Sequence, residues 1–250
     1  MKAEAHPARV HDRPTLPQSL RLSIIMPVRN EAHALVRQES TLLGLRNQGA
    51  EVIVVDGGSQ DASVRIARRM ATSVLRSPPG RARQMNAGAR VATGDILVFL
   101  HADVLLPPGD IVDWLPTQHL GNLPVWGFFP VRLDSPEWLY RLIAAGINVR
   151  ARATGIVSGD QALWVRRDCF ETVGGFSDIP LMEDIEFARR LNKRCPPAAA
   201  RVPVCVSARR WKRGHPVRLV LRMWALRVAY AFGVPPHHLV GHYDRSYPRE

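Results

Sequence analysis

EVIVVDGGSQD, residues 51–61, decides the fold. Four β-branched residues in a row, Val52 to Val55, read as a strand buried on both faces, as in a parallel sheet covered by helices. The run ends on Asp56, Gly57 and Gly58 allow close backbone approach, and Ser59 or Asp61 can cap a following helix that starts near Asp61. Upstream, LSIIMPV (22–28) repeats the pattern and leads into a helix-like segment from Ala32 to about Arg46. Downstream, SVLRS (73–77) passes through Pro78, Pro79 and Gly80 into a third helix, and DILVFLHAD (95–103) supplies another buried strand. Strands alternating with amphipathic helices predict an α/β domain with a mostly parallel sheet whose core is these four runs.

The second half opens with VWGFFPVRL (125–133), followed by a helix-like segment from Pro136 to Ala151, the loop and strand GIVSGDQALWV (155–165), and MEDIEFARRL (182–191). The last of these carries acids in its first turn and arginines in its last, as a helix dipole prefers. A strand, RVPVCVS (201–207), leads to Arg209, Arg210 and Trp211. Pro216 to Phe232 is apolar but interrupted by Arg218, Arg222 and Arg227, and it is short for a membrane span. It reads as an amphipathic helix, with Trp224, Tyr230 and Phe232 available for the core or for a membrane interface.

The 250 residues suffice for one substantial core, and no internal repeat is present. The net charge of +12 favours anionic partners without choosing among sugar diphosphates, nucleic acid and acidic lipid. Three cysteines (Cys169, Cys195, Cys205) form no C-x-x-C pair, so neither a zinc knuckle nor a disulfide framework is indicated and a reduced, cytoplasmic setting is expected. Residues 1–20 show no apolar run of signal-peptide length and are expected to form a disordered extension.

Five segments carry candidate chemistry. PVRNEA (27–32) breaks a buried strand at Asn30 and Glu31, a place for a ligand or simply for a helix cap. Asp56, with Gly57 and Ser59 beside it, can accept from a base N–H or a ribose hydroxyl. Arg81, Arg83, Gln84 and Asn86 stand at a loop-to-helix junction where donors meet an anion. FLHAD (99–103) presents His101 and Asp103 as potential ligands for a divalent ion beside a diphosphate. SGDQ (158–161) and MED (182–184) each offer a carboxylate, Asp160 or Asp184, that can act as general base. Neither a G-x-x-x-x-G-K phosphate loop nor a G-x-G-x-x-G dinucleotide fingerprint occurs, which argues against kinases and dehydrogenases.

In this order and spacing the segments resemble family 2 glycosyltransferases of the GT-A fold over roughly Leu22 to Trp211. The family's P-x-x-N-E is similar to Pro27 to Glu31, its V-D-D-G-S-x-D to VDGGSQD, its R-x-x-x-N-x-G to Arg81 to Gly88, and its D-x-D to His101-Ala102-Asp103. The leading histidine resembles a bacterial subgroup whose fourth strand reads L-H-A-D. The family's glutamate-aspartate pair resembles Glu183-Asp184, the aspartate being the expected base.

The resemblance implies a GT-A domain over residues 21–211 and a basic, amphipathic segment over 212–250. It implies an inverting transfer from a nucleotide-sugar, a UDP-sugar by the family's commonest donors, with Mg²⁺ or Mn²⁺ held at Asp103. The donor is expected on Pro27, Asn30, Glu31, Asp56, Gly57, Ser59, Arg81, Gln84, Asn86, His101 and Asp103. A small-molecule or lipid-linked acceptor is expected on Gly159, Asp160, Gln161, Glu183, Arg210 and Trp211, with peripheral membrane contact through the C-terminal helix at the inner face of the membrane. Processive synthases carry Q-x-x-R-W; here Ser207 replaces the glutamine before Arg210-Trp211, which favours transfer of a single sugar.

A nucleotidyltransferase that makes nucleotide-sugars is one rival, but the G-G-x-G-T-R-like loop that follows its first strand is replaced here by PVRNEA. A nucleic-acid or membrane-surface module is the other, motivated by RRWKRGHPVR (209–218). That run lacks the aromatic interleaving of an RNA-stacking surface, and no nucleic-acid partner is expected.

Overall fold

The computed structural model describes residues 20–107, 109, 114–116, 124–209 and 215–246. Nearly all of the expected N-terminal extension, together with Arg210 and Trp211, lies outside them. Strand β1 (Leu22–Val28) is buried along its whole length and pairs in parallel with β2 (Glu51–Asp56) and β4 (Ile96–Phe99). With β3 (Ser73–Arg76), β6 (Trp126–Phe128), β8 (Trp164–Arg166) and β9 (Ala198–Ala199) the sheet runs β3-β2-β1-β4-β8-β6-β9. Only β8 is antiparallel to its neighbours. Pro27 stands beyond the last β1–β4 pair, Ile25 with Phe99, so its missing N–H costs that ladder nothing.

Alternation along the strands divides the core. Ile24, Met26, Val28, Val52 and Val54 pack under helices α1 (Ala32–Asn47) and α2 (Ser63–Met70). Ile25, Ile53, Val55, Leu97 and Phe99 face α3 (Arg81–Val91), and the same cluster holds residues of two later helices, α5 (Arg167–Val173) and α6 (Glu183–Asn192). Three layers result, a mainly parallel sheet between helices. Between β7 (Val131–Leu133) and the turn that leads to β8 runs α4 (Trp138–Thr154). Strand β7 pairs with β10 (Val204–Val206), which also pairs with β5 (Val104–Leu105), forming a second, three-stranded sheet.

VWGFFPVRL, a single run in sequence, is therefore divided between two sheets. The division falls at Phe129-Pro130, because a proline cannot donate to a ladder. Helix α5 has no counterpart in the sequence reading, since seven residues are too few to show a 3.6-residue period. The last helix, α8 (Pro236–Ser246), lies in the helical segment and tail expected over 212–250, in which only Pro216 to Phe232 reads as a distinct helix, and it turns Leu239, Val240 and Tyr243 to one apolar cluster. Before it comes α7 (Pro216–Ala231). Leu226 of α7 and Leu239 of α8 share an apolar cluster with Leu181, Met182 and Ile185, so the C-terminal helices dock on the start of α6.

Helix α3 lies directly on the sheet at Gly88, where a Cβ would stand 2.5 Å from Ile25 Cγ2 and 3.1 Å from Val55 Cγ2. Gly88→Ala is expected to cost about 1–3 kcal/mol, read as a lower thermal midpoint. An unchanged midpoint would contradict this close approach.

Candidate functional site

Parallel pairing brings the C-terminal ends of β1, β2 and β4 to one edge of the sheet, so Asn30, Asp56 and His101 to Asp103 share that edge. The loops there are tied to one another. Asp56 is fully buried and accepts from the Gly58 and Ser59 amides at 3.2 and 3.0 Å. Asn30 does not cap its own helix. Its side-chain oxygen accepts from the Gln60 amide at 2.8 Å, and its own amide donates to Ser59 Oγ. Helix α1 is capped instead from the next loop, Asp61 accepting from the Ala32 amide and Ser63 from the Glu31 amide. Partial burial raises the Asp61 carboxyl, but its hydrogen bonds with Ser63 and Ala32 outweigh this and hold it below the usual range.

Helix α3 supplies the floor. Gln84 is buried and donates to the Val28 and Val55 carbonyls at 2.9 and 2.7 Å, pinning the ends of β1 and β2 side by side. Asn86 points away from those strand ends: its amide donates to Phe176 O and accepts from Phe176 N, clamping the loop after α5. Arg81 approaches Glu183 at 3.6 Å and donates to the Tyr243 hydroxyl of α8 at 3.3 Å.

His101, Asp103 and Asp160 form one group, their ligating atoms all within 4.8 Å of one another. Asp160, expected on the acceptor side, thus joins the two residues of the H-x-D. One imidazole and two carboxylates at this spacing suit a single divalent ion. Gln38 of α1, absent from the sequence reading, holds this turn by donating to Ala102 O at 2.6 Å. Its signal was there to read: a glutamine on the helix face that buries Leu35, Leu42 and Leu45.

Gly159, Asp160 and Gln161 form a tight 3-10 turn against Asp184, which accepts from the Gly159 amide at 2.6 Å and from the Ile185 amide at 2.7 Å. A side chain at 159 is excluded, because a Cβ would fall 2.1 Å from the His101 ring. Glu183, by contrast, is buried and its Oε1 has no hydrogen-bond partner. Burial pushes its carboxyl above the usual glutamate range; Arg81 opposes this and Asp184 adds to it. Among the described residues three non-glycines have positive φ, Asn30, Ala162 and Met182, and each adjoins one of these segments.

Sequence reasoning also missed Arg150 of α4, which donates to Ser158 Oγ and Gln161 Oε1, both at 3.2 Å, and Tyr243. In a chain with 34 lysines and arginines, one more arginine on a helix carries no signal.

The model for glycosyl transferase family 2 matches residues 23–145. The chain is 28% identical to the pre-mycofactocin glycosyltransferase of Mycobacterium tuberculosis over 95% of its own length and 52% of the relative's. It is 30% identical to the undecaprenyl-phosphate 4-deoxy-4-formamido-L-arabinose transferase of Yersinia pestis over 58% of its length and 48% of the relative's. The chain thus spans about half the length of these curated relatives. A mannosyltransferase from Pyrobaculum calidifontis, solved with GDP-Man and Mn²⁺, aligns with TM-score 0.56 and 25% identity over 92% of this chain and 65% of the other. Glucosyl-3-phosphoglycerate synthase from Mycobacterium tuberculosis, solved with Mg²⁺ and UDP, is 20% identical over 74% of this chain and 70% of its own, with TM-score 0.53, and shares the GT-A fold.

Because the Glu183 carboxyl is raised in the folded chain, its contribution to stability is complete below the ordinary value of 4.5 and is lost as pH rises through the folded value. Glu183→Gln is therefore expected to gain stability relative to the parent from pH 5 upward, by at most about 1.4 kcal/mol per pH unit. A difference in thermal midpoint that stays constant from pH 5 to 8 would refute the burial argument.

Proposed function

We propose, from the match of residues 23–145 to the model for glycosyl transferase family 2, that the chain is a member of that family and transfers one sugar, with inversion, from a nucleotide-sugar to an acceptor. The observation that carries this reading is the turn at 158–161, which brings Asp160 to His101 and Asp103 and donates the Gly159 amide to Asp184. An ion-holding group and a general base on one turn match the needs of sugar transfer: charge to be neutralised at the leaving diphosphate and a proton to be taken from the acceptor. His101, Asp103 and Asp160 would hold a divalent ion, Mg²⁺ or Mn²⁺, and when bound it neutralises charge on the diphosphate.

The protein's own residues do the rest. Asp184, oriented by the Gly159 amide, takes the proton of the acceptor hydroxyl. The freed oxygen attacks the anomeric carbon from the face opposite the diphosphate, and the bond from that carbon to the diphosphate oxygen breaks. Arg81 lies at the same edge as a cation for the departing nucleoside diphosphate. The loop ties through Asn30, Asp56, Ser59 and Gln84 keep the nucleotide end in shape, while Glu31 and Gly57 line the same loops. A UDP-sugar is the first expectation for the donor. A GDP-sugar is the second, favoured by the GDP-Man of the Pyrobaculum mannosyltransferase.

The acceptor side faces the C-terminal helices. Val217, Leu221, Trp224, Val228 and Phe232 form an exposed apolar stripe along α7, Phe232 being 87% exposed, while Leu226 packs inward. Of the two uses foreseen for this segment, core packing is met by the inward face through Leu226, and membrane contact is proposed for the exposed face. No helix among the described residues is long and apolar enough to cross a membrane. The stripe suits peripheral contact at the inner face of a membrane and a lipid-linked acceptor, in keeping with the undecaprenyl-phosphate transferase relatives.

A screen of UDP-, GDP- and dTDP-sugars with and without Mn²⁺ or Mg²⁺ tests the reading. Asp184→Asn is expected to keep donor binding and lose about 10²–10⁴-fold in transfer, and Asp103→Ala to weaken metal-dependent donor binding. No response to any donor, or full transfer activity in Asp184→Asn, would defeat it.

A further inference from the structure

Helix α4 spends only one of its faces on the fold. Tyr140, Ala144 and Ala151 are buried, and Ile143 and Ile147 pack against the core on that side. On the opposite face Trp138, Leu142 and Val149, spaced by four and by seven, are 72, 60 and 64% exposed. Apolar residues scattered singly over a surface need no explanation, but three on one helical stripe, the largest an indole, do. Beside the stripe lies a cavity of about 610 Å³ between β7 and α4, walled by Leu133, Pro136, Ala144 and Ala145 and carrying Arg132 and Arg141. Ala145, seven residues from Trp138 and three from Leu142, belongs to stripe and cavity alike.

The charge around the stripe is mostly of one sign. Helix α4 contains neither Asp nor Glu, and its Arg141 and Arg152 are exposed, as is Arg132 of β7. The acids nearest in sequence, Asp134 and Glu137, precede the helix and are already engaged. Asp134 accepts from the Ala208 amide at 2.6 Å and stands 3.8 Å from Arg37. Glu137 accepts from the Ser135 hydroxyl at 3.4 Å and sits at the helix N-terminus, where the dipole favours an anion. A second copy of this chain fits the face badly, because a two-fold contact sets a patch against itself and would oppose Arg132, Arg141 and Arg152 of both copies. An apolar stripe with a tryptophan, flanked by arginines, is what a helix lying in the headgroup region of an anionic bilayer presents.

We propose that the face of α4 formed by Trp138, Leu142 and Val149, with the Arg132 and Arg141 cavity beside it, is a docking surface for anionic lipid. The indole and the two aliphatic side chains enter the boundary between headgroups and acyl chains, while the arginines meet headgroup phosphates. The cavity receives one headgroup: its two cations face the phosphate, and its apolar wall at Ala144 and Ala145 leads on to the stripe. This surface lies on a different helix from the apolar stripe of α7, and none of its residues belongs to the sheet edge that holds Asn30, Asp56 and His101. It concerns where the protein sits, names no acceptor, and does not rest on the glycosyl-transfer reading.

Trp138 is the natural probe. Fluorescence of the full chain is read on vesicles with brominated acyl chains, made of phosphatidylcholine alone or of phosphatidylcholine with phosphatidylglycerol. The contributions of Trp138 and Trp224 are taken by difference from Trp138→Phe and Trp224→Phe. The expected result is quenching of Trp138 on the phosphatidylglycerol vesicles, with partition weakened about fivefold in each of Arg132→Gln and Arg152→Gln. Both substitutions fall on exposed side chains, and unchanged thermal midpoints verify that the variants fold. Absence of Trp138 quenching overturns the proposal; if Trp224 is quenched in the same experiment, the α7 contact stands alone. Trp138 quenching equal on the two lipids, or partition unchanged in both arginine variants, overturns it as well. A dimer in sedimentation equilibrium that Leu142→Gln dissolves, with Trp138 unquenched by lipid, overturns it in favour of a face between two copies. Titration with UDP or GDP and Mn²⁺ is independent: absent nucleotide binding defeats the transferase reading and leaves this surface standing, while normal nucleotide binding without Trp138 quenching defeats only this proposal.

Discussion

The hydrogen bond from the Gly159 amide to the Asp184 carboxylate, 2.6 Å long, joins the 158–161 turn to the start of helix α6. On one side of it stands the turn that carries Asp160 to His101 and Asp103. On the other stands helix α6, which begins with the Glu183-Asp184 pair and whose first residues also receive α7 and α8. The bond exists only because residue 159 is glycine, since the His101 ring fills the space a Cβ would need. An ionised oxygen accepting a backbone N–H is among the stronger hydrogen bonds a protein makes. It fixes where the carboxylate points, and hence the geometry of everything assigned to that edge of the sheet.

Local strain is concentrated at the same place. Asn30, Ala162 and Met182 adopt left-handed backbone conformations that cost non-glycine residues free energy, and the surrounding structure holds each of them. Asn30 is held through the amides and hydroxyls of the next loop, and Met182 by burial among Leu181, Ile185 and Leu226. The rigid part is the three-layer sheet, whose two cores follow from simple alternation along β1 and β2. The strained part is the set of loops at its edge. This division is the usual one for an α/β fold that places chemistry at its strand ends.

Much of this was legible in the sequence, for physical reasons. Strands such as Val52 to Val55, buried on both faces, have almost no alternative reading, and the helices between them keep a clear period. What the sequence hid was long-range. VWGFFPVRL looked like one strand because a run of apolar residues does not reveal which sheet each half joins; only Pro130 hinted at the break. Asn86 looked like a ligand donor because a mid-helix amide needs a partner, and its partner, the Phe176 backbone, is ninety positions away. Asp160 could be placed in the cleft but not beside His101, a juxtaposition set by antiparallel pairing of β8 with β4. Arg150 was indistinguishable from the other arginines until its hydrogen bonds to the 158–161 turn singled it out. Residues 23–145, the part matched by the family, end before Arg150, Asp160 and Asp184, so the acceptor half rests on geometry more than on likeness.

The most direct measurement of the central claim is a crystal structure with a nucleoside diphosphate and Mn²⁺, with anomalous scattering used to locate the ion. The account predicts a manganese peak bonded to His101, Asp103 and Asp160, the diphosphate beside it, and Asp184 across the 158–161 turn facing the vacated sugar position. Manganese and nucleotide bound away from the ends of β1, β2 and β4, or an ion that leaves His101, Asp103 and Asp160 unliganded, would contradict it.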